Sequence, residues 1–253
     1  MIFLTGDTHA DFRFRFNTEN FPEQKEMTKD DFVLICGDFG GVWEPKESKN
    51  EKWWLDWFET RPYTTLFIDG NHENHEQLAT YPVKEWNGGK VHVIRPHVLH
   101  LMRGQVFTIQ GKSFFTFGGA QSHDVRGGIL EPDDPDFAGK LHEARRSGLP
   151  FRINHVSWWA QEMPSEEEMA EGLKNLAAHN NTVDFIVTHC CATSTQSKLD
   201  PFGSHYTPDA ATEYLEQIHS SVNYGKWYFG HYHDNRIVTD KEILLYEQII
   251  RVI

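Results

Sequence analysis

Five short segments carry side chains suited to metal-assisted chemistry: Asp7-Thr8-His9, Gly37-Asp38, Gly70-Asn71-His72-Glu73, Thr188-His189 and Gly230-His231-Tyr232-His233. Each follows a short apolar run and offers an oxygen or imidazole donor where that run ends. An Asp-x-His on an extended or looping segment can turn both donors toward one ion. Gly37 lets the backbone turn so that Asp38 projects into a site. His231 and His233, two residues apart, share one side of an extended segment. Taken singly, these are ordinary turns, a capping Asn or a solvated His pair. Their co-occurrence, in order, supplies enough donors for two adjacent metal ions, an arrangement suited to phosphoester hydrolysis.

The elements that must position them follow from the same runs. Ile2 to Thr5, Phe32 to Ile35 and Thr65 to Ile68 predict buried strands covered on both faces. Ser48 to Glu59 predicts a helix opened by a capping box of Ser48 and Glu51, and Asn74 to Thr80 a second. Val91 to Ile94, Val98 to Leu101, Val106 to Ile109 and Ser113 to Phe117 predict an antiparallel section, with a hairpin turn at Gln110-Gly111. A helix from Ser165 to about His179 again begins with a capping-box pattern. Asp184 to Thr188 predicts another strand. Thr207-Pro208 reads as the N-cap and first residue of a helix to about Ser220. Lys226 to Phe229 and Ile243 to Glu247 then close the sheet. Residues 120–164 are the least regular, with an acidic, Pro-broken loop at 131–136, and read as an insertion or lid over a single domain spanning 1–253. Alternating strands and helices around a β-rich middle imply an α/β sandwich, whose sites gather beyond the carboxyl ends of strands.

The 253 residues suffice for one well-filled core, and 39% hydrophobic content with a mean hydropathy of -0.57 fits a soluble globular chain. No apolar run approaches the ~20 residues of a membrane span, and the start lacks a signal-peptide pattern, so a cytoplasmic protein without a membrane partner is expected. The cysteines, Cys36, Cys190 and Cys191, are too few for a disulfide framework, and the Asp and His set needs none of them as ligands. The net charge of -13 disfavours long nucleic acid as a partner. It leaves room for a nucleotide or other small phosphorylated substrate, because bound ions make a site locally positive.

The five segments together resemble the calcineurin-like metallophosphoesterases, dinuclear metal hydrolases, over residues 7 to 233. The resemblance implies a four-layer α/β/β/α sandwich. It implies one ion on Asp7, His9, Asp38 and His233, and another on Asp38, Asn71, His189 and His231, with Asp38 bridging. A carboxylate can span two ions ~3.5–4 Å apart. The mixed N/O ligands suit Mn, Fe, Zn or Ni, with Mn or Fe favoured. A metal-bridging water would attack phosphorus in line, with His72 as the acid at the leaving alkoxide and Glu73 as a candidate to orient it.

One departure stands out. Protein phosphatases of this family follow the second Gly-Asp with an Asp-Arg pair, whereas this chain reads Gly37-Asp38-Phe39-Gly40-Gly41-Val42. Arg13, Arg15 or Arg126 is therefore a candidate for the missing positive group. Gly118 to Asp124 and Ser157 to Glu162 resemble a bacterial and phage subgroup, which makes His123 and Asp124 candidates for substrate contact. Trp158 and Trp159 read as core or as stacking platforms. The leading reading is a phosphoesterase for a small monoester or diester. The alternatives are a nuclease or cyclic-nucleotide phosphodiesterase on the same site, and a non-catalytic metal-binding scaffold.

Overall fold

The computed structural model describes residues 1–203 and 206–253. The first sheet begins with β1 (Ile2–Thr5), β2 (Phe32–Ile35), β3 (Thr64–Phe67), β4 (Val83–Trp86), β5 (Gly89–Arg95) and β6 (Val98–Leu101). The second begins with β7 (Gln105–Ile109) and β8 (Lys112–Phe117). A small parallel pair, β9 (Ile129–Leu130) and β10 (Arg152–Ile153), lies in the following segment. The second sheet resumes with β11 (Thr182–Thr188), β12 (Asn223–Phe229), β13 (Arg236–Ile237) and β14 (Glu242–Leu244), and β15 (Ile249–Arg251) returns to the first. The strand orders are β15-β1-β2-β3-β6-β5-β4 and β13-β14-β12-β11-β8-β7. The inner runs β1-β2-β3-β6 and β8-β11-β12-β14 are parallel.

Period-two alternation sorts each apolar strand between two cores. Ile2, Leu4, Leu34 and Leu66 point between the sheets, where they meet Phe114, Val187 and Tyr228 of the second sheet. Phe3, Val33, Ile35 and Phe67 point outward against Phe12 of α1 (Phe12–Arg15), Leu55 and Phe58 of α2 (Lys49–Glu59) and Leu78 of α3 (His75–Leu78). The segment that carries β9 and β10 also forms α4 (Phe137–Ser147). On the far side Phe115, Phe117, Ile186, Trp227 and Phe229 pack on Leu176 of α5 (Glu166–Ala178) and on Leu215 and Ile218 of α7 (Ala210–Ser221), which follows α6 (Thr193–Leu199). The result is the expected four-layer α/β/β/α sandwich, with the carboxyl ends of both parallel runs on one edge.

Both capping boxes form: Ser48 accepts from the Glu51 N–H, and Ser165 from the Glu168 N–H. Several expectations need correction. The antiparallel section is divided between the sheets, since β5-β6 belongs to the first and β7-β8 to the second. Asp209, not Thr207, caps α7, because its carboxylate accepts from the Ala211 and Thr212 N–H groups and Pro208 lies before the cap. The expected strand Ile243 to Glu247 is shorter: β14 ends at Leu244, and a further strand not expected from the sequence, β15, pairs in the first sheet. Residues 120–164 include α4, which buries only Ala144 and so shows no apolar stripe.

Candidate metal centre

The five segments converge at one edge because each follows a parallel inner strand: β1, β2, β3, β11 and β12. The backbone turns left-handed at four of these donors. His9, Asp38, His231 and His233 all adopt positive φ (43°, 46°, 70° and 48°) although none is glycine. Such conformations cost of order 1–3 kcal/mol each and concentrate where function requires them. Close approach explains two glycines. A Cβ on Gly70 would overlap the Asp38 carboxylate, and one on Gly230 would overlap that of Asp7.

Asp7, His9, Asp38 and His233 bring one ligand atom each within 4.8 Å of one another. His9 Nε2 lies 2.9 Å from His233 Nε2, and His233 Nε2 lies 3.2 Å from Asp7 Oδ2. The Asp38 carboxylate faces two ways: Oδ2 is 3.6 Å from His9 Nε2, and Oδ1 is 3.5 Å from His189 Nε2. Beyond it, His189 Nε2 lies 3.1 Å from Asn71 Oδ1, and the His189 and His231 rings are 5.0 Å apart. His231 Nε2 is turned to His123 Nε2 at 2.8 Å.

The donor chemistry fits a cation. His189 Nδ1–H donates to the Cys36 carbonyl at 2.9 Å, which leaves a lone pair on Nε2. Asn71 Nδ2 donates to Ser122 Oγ at 3.1 Å, which leaves the Asn71 carbonyl oxygen facing that lone pair. Three electron-pair donors, on His189, Asn71 and Asp38, thus converge in a buried place. Burial raises the Asp7 carboxyl, but His189, the hydrogen bond from His233 and the His231 N–H outweigh it and hold it below the usual range. Burial also pushes His9 down, and pushes His231 well down. The hydrogen bond to Asp7 raises His233.

His72 stands over this cluster. Its N–H donates to Asp38 Oδ1 at 2.8 Å, and its ring centroid is 5.4 Å from that of His9. Burial lowers its pKa. Its Nε2 lies 3.9 Å from Asp124 Oδ2, and Asp124 in turn accepts from Arg152 Nε at 3.0 Å. An Asp124–Arg152 ion pair from residues 120–164 thus stands beside His72. Arg152 also lines a cleft of ≈470 Å³ with His9, Trp43, His72 and His233. Sequence reading missed Arg152, whose only signal was a lone cation near Asp124 in space rather than in sequence.

Other expected residues lie elsewhere. Arg126 is exposed and is not among the residues lining the cleft. Arg15 donates to Thr5 Oγ1 and the Gly6 carbonyl, holding the end of β1. Glu73 does not orient His72. It is buried and accepts from the Phe39 N–H at 2.6 Å, so it braces the loop after Asp38. His123 packs against His231. Trp159 is buried behind Trp43 in an edge contact, with ring centroids 5.4 Å apart, so Trp43 and not Trp159 meets the cleft. The three cysteines are buried free thiols.

The family model for calcineurin-like phosphoesterases matches residues 1–235. The chain belongs to the calcineurin-like phosphoesterase family. It is 27% identical over 143 residues to lariat debranching enzyme A of Xenopus laevis, covering 51% of this chain and 26% of that one. It is 21% identical over 247 residues to the lariat debranching enzyme of Danio rerio, covering 92% of this chain and 40% of that one. It therefore spans well under half the length of these curated relatives. Among solved structures it is similar to phosphopantetheinyl hydrolase from Mycobacterium tuberculosis, with 13% identity, a TM-score of 0.44 and coverage of 97% and 87% of the two chains. Its Asp7, His9, Asp38 and His233 cluster is able to hold a metal ion. No helix among the described residues is long and apolar enough to cross a membrane.

Proposed function

We propose that this calcineurin-like phosphoesterase is a dinuclear hydrolase of small phosphodiesters and monoesters. Asp7, His9, Asp38 and His233 would hold one ion; Asp38, Asn71, His189 and His231 would hold the other. The observation that carries this reading is the Asp38 carboxylate, with one oxygen toward His9 and the other toward His189. When bound, the two ions supply an acidified water and neutralise charge at the phosphate. The chain's own residues do the rest. Arg152, on the cleft wall, binds a phosphate oxygen. His72 gives a proton to the departing alkoxide, and Asp124 holds the protonated ring over it. Trp43 gives the cleft an apolar wall.

The diester preference draws on the lariat-debranching names of the curated relatives and on Trp43, whose indole suits a base or another planar group. The site has room for a nucleotide-sized group, and a nuclease or cyclic-nucleotide activity would use the same residues. The test is a hydrolysis screen with Mn²⁺ on p-nitrophenyl phosphate, bis-p-nitrophenyl phosphate and linear and cyclic nucleotides, with an EDTA control. Chelator-sensitive turnover with the diester ahead supports the reading. Faster monoester turnover refutes the preference. Bound metal without turnover of any ester favours a scaffold.

A further inference from the structure

The inserted segment reaches the candidate second ion through a buried relay. Asn71 Nδ2 donates to Ser122 Oγ at 3.1 Å, and the Ser122 hydroxyl donates to Glu162 Oε2 at 2.6 Å. Glu162 Oε1 accepts from the Ser122 N–H at 2.9 Å. Ser122 is 4% exposed and Glu162 2%, so no water competes for these bonds. Glu162 is itself held in place, because the backbone around it is fixed by Arg103, which donates to the Gln161 carbonyl at 2.8 Å and to Asp69. Neither Ser122 nor Glu162 touches the Asp7-His9-His233 group.

The chemistry of this relay has one direction. A hydroxyl has a single proton. As a carboxylate, Glu162 only accepts, so the Ser122 hydroxyl points its proton at Glu162 and turns only lone pairs toward Asn71. The Asn71 amide must then present its NH₂ group to Ser122 and its carbonyl oxygen to His189 Nε2. An amide with the opposite orientation would put N–H donors where a cation binds. Groups of this kind, one bond removed from a ligand, commonly change metal affinity by ~10–100-fold.

We propose that Ser122 and Glu162 are positioning residues that set the polarity of Asn71 and so create the second metal site. This rests on the two-ion reading above. The relay can be reversed without changing its shape. In Glu162→Gln the Ser122 N–H, which only donates, keeps the amide oxygen, so the Gln NH₂ faces Ser122 Oγ. The Ser122 proton is then free to turn toward Asn71 and to favour the wrong amide orientation.

The experiment is Mn²⁺ titration of metal-free protein by calorimetry, with the ion count checked by elemental analysis. The wild-type chain should bind two ions. Glu162→Gln and Ser122→Ala should bind the first as the wild type does and the second about 10–100-fold more weakly. Ser122→Thr, which keeps the hydroxyl, should restore the second site. Thermal melting in EDTA shows whether each variant is folded, and Ser122→Thr serves if the others are not: normal second-site affinity there supports the relay, and loss of that affinity opposes it. Two ions bound normally by Glu162→Gln, or both weakened equally, would overturn the relay and leave the two-ion reading intact. A wild-type chain that binds one ion would overturn both.

Discussion

Three residues decide the chemistry proposed for this site. Asp38 faces both groups of donors, so Asp38→Asn should weaken both ions and abolish hydrolysis, whereas loss of one ion alone in a metal titration would place the bridge elsewhere. His72 touches Asp38 only through its backbone N–H. His72→Ala should keep metal content yet slow alkyl ester hydrolysis by ~10²–10⁴-fold, with p-nitrophenyl esters affected less because p-nitrophenol leaves without a proton. Equal slowing of both esters would remove the acid role. Arg152→Ala should raise KM more than it lowers kcat, as steady-state kinetics would show, since a cleft-wall cation contributes binding in ground and transition states alike. The cluster of strand-end Asp, Asn and His side chains was legible in sequence because each follows an apolar run directly. Arg152 was not, and the stretches holding Ser122 and Glu162 stood out without their contacts, because these residues come from a segment without periodicity and meet partners 28 to 51 residues away.

At the scale of elements, the site depends on how closely strand ends approach. Gly70 lies after β3 against the Asp38 carboxylate. Gly70→Ala should leave the far-ultraviolet circular dichroism unchanged while weakening metal binding at least ~10-fold, the scale of lost support for a ligand. Unchanged affinity would mean that the loop relaxes without moving Asp38. The inner strands were legible as continuous apolar runs buried on both faces, and the capping boxes marked α2 and α5. The edges were harder to read. β4 has three exposed residues, Val83, Lys84 and Glu85, so it shows little burial pattern, and α4 buries one residue. Hydrophobic alternation reports a core face, and these elements have almost none.

At the scale of the molecule, a buried network around Asp69 reaches α5 of the second half through Arg103, which donates to Glu168 Oε2 at 3.1 Å. Asp69 accepts from Arg103 Nε at 2.9 Å and lies 3.1 Å from His100 Nε2, while His92 Nδ1 lies 2.9 Å from His100 Nδ1. Burial pushes His75 down to about 3, and burial with the neighbouring His100 pushes His92 down to about 4. Both values lie below the ordinary ~6.5 of an unfolded chain. Between those limits the unfolded state binds more protons, so this stabilisation is complete above pH ~6.5 and declines as the pH falls toward about 4 for His92 and about 3 for His75. Urea midpoints in EDTA should fall over that window, and His92→Asn should show a shallower fall. A flat profile would contradict neutral buried histidines.

The most direct test of a two-ion phosphoesterase is to strip the chain of metal, restore Mn²⁺ in steps, and follow bound ions and bis-p-nitrophenyl phosphate turnover together. Turnover should be absent from the stripped protein and should reach its plateau at two ions per chain. Full turnover without metal, or a plateau at one ion, would contradict it.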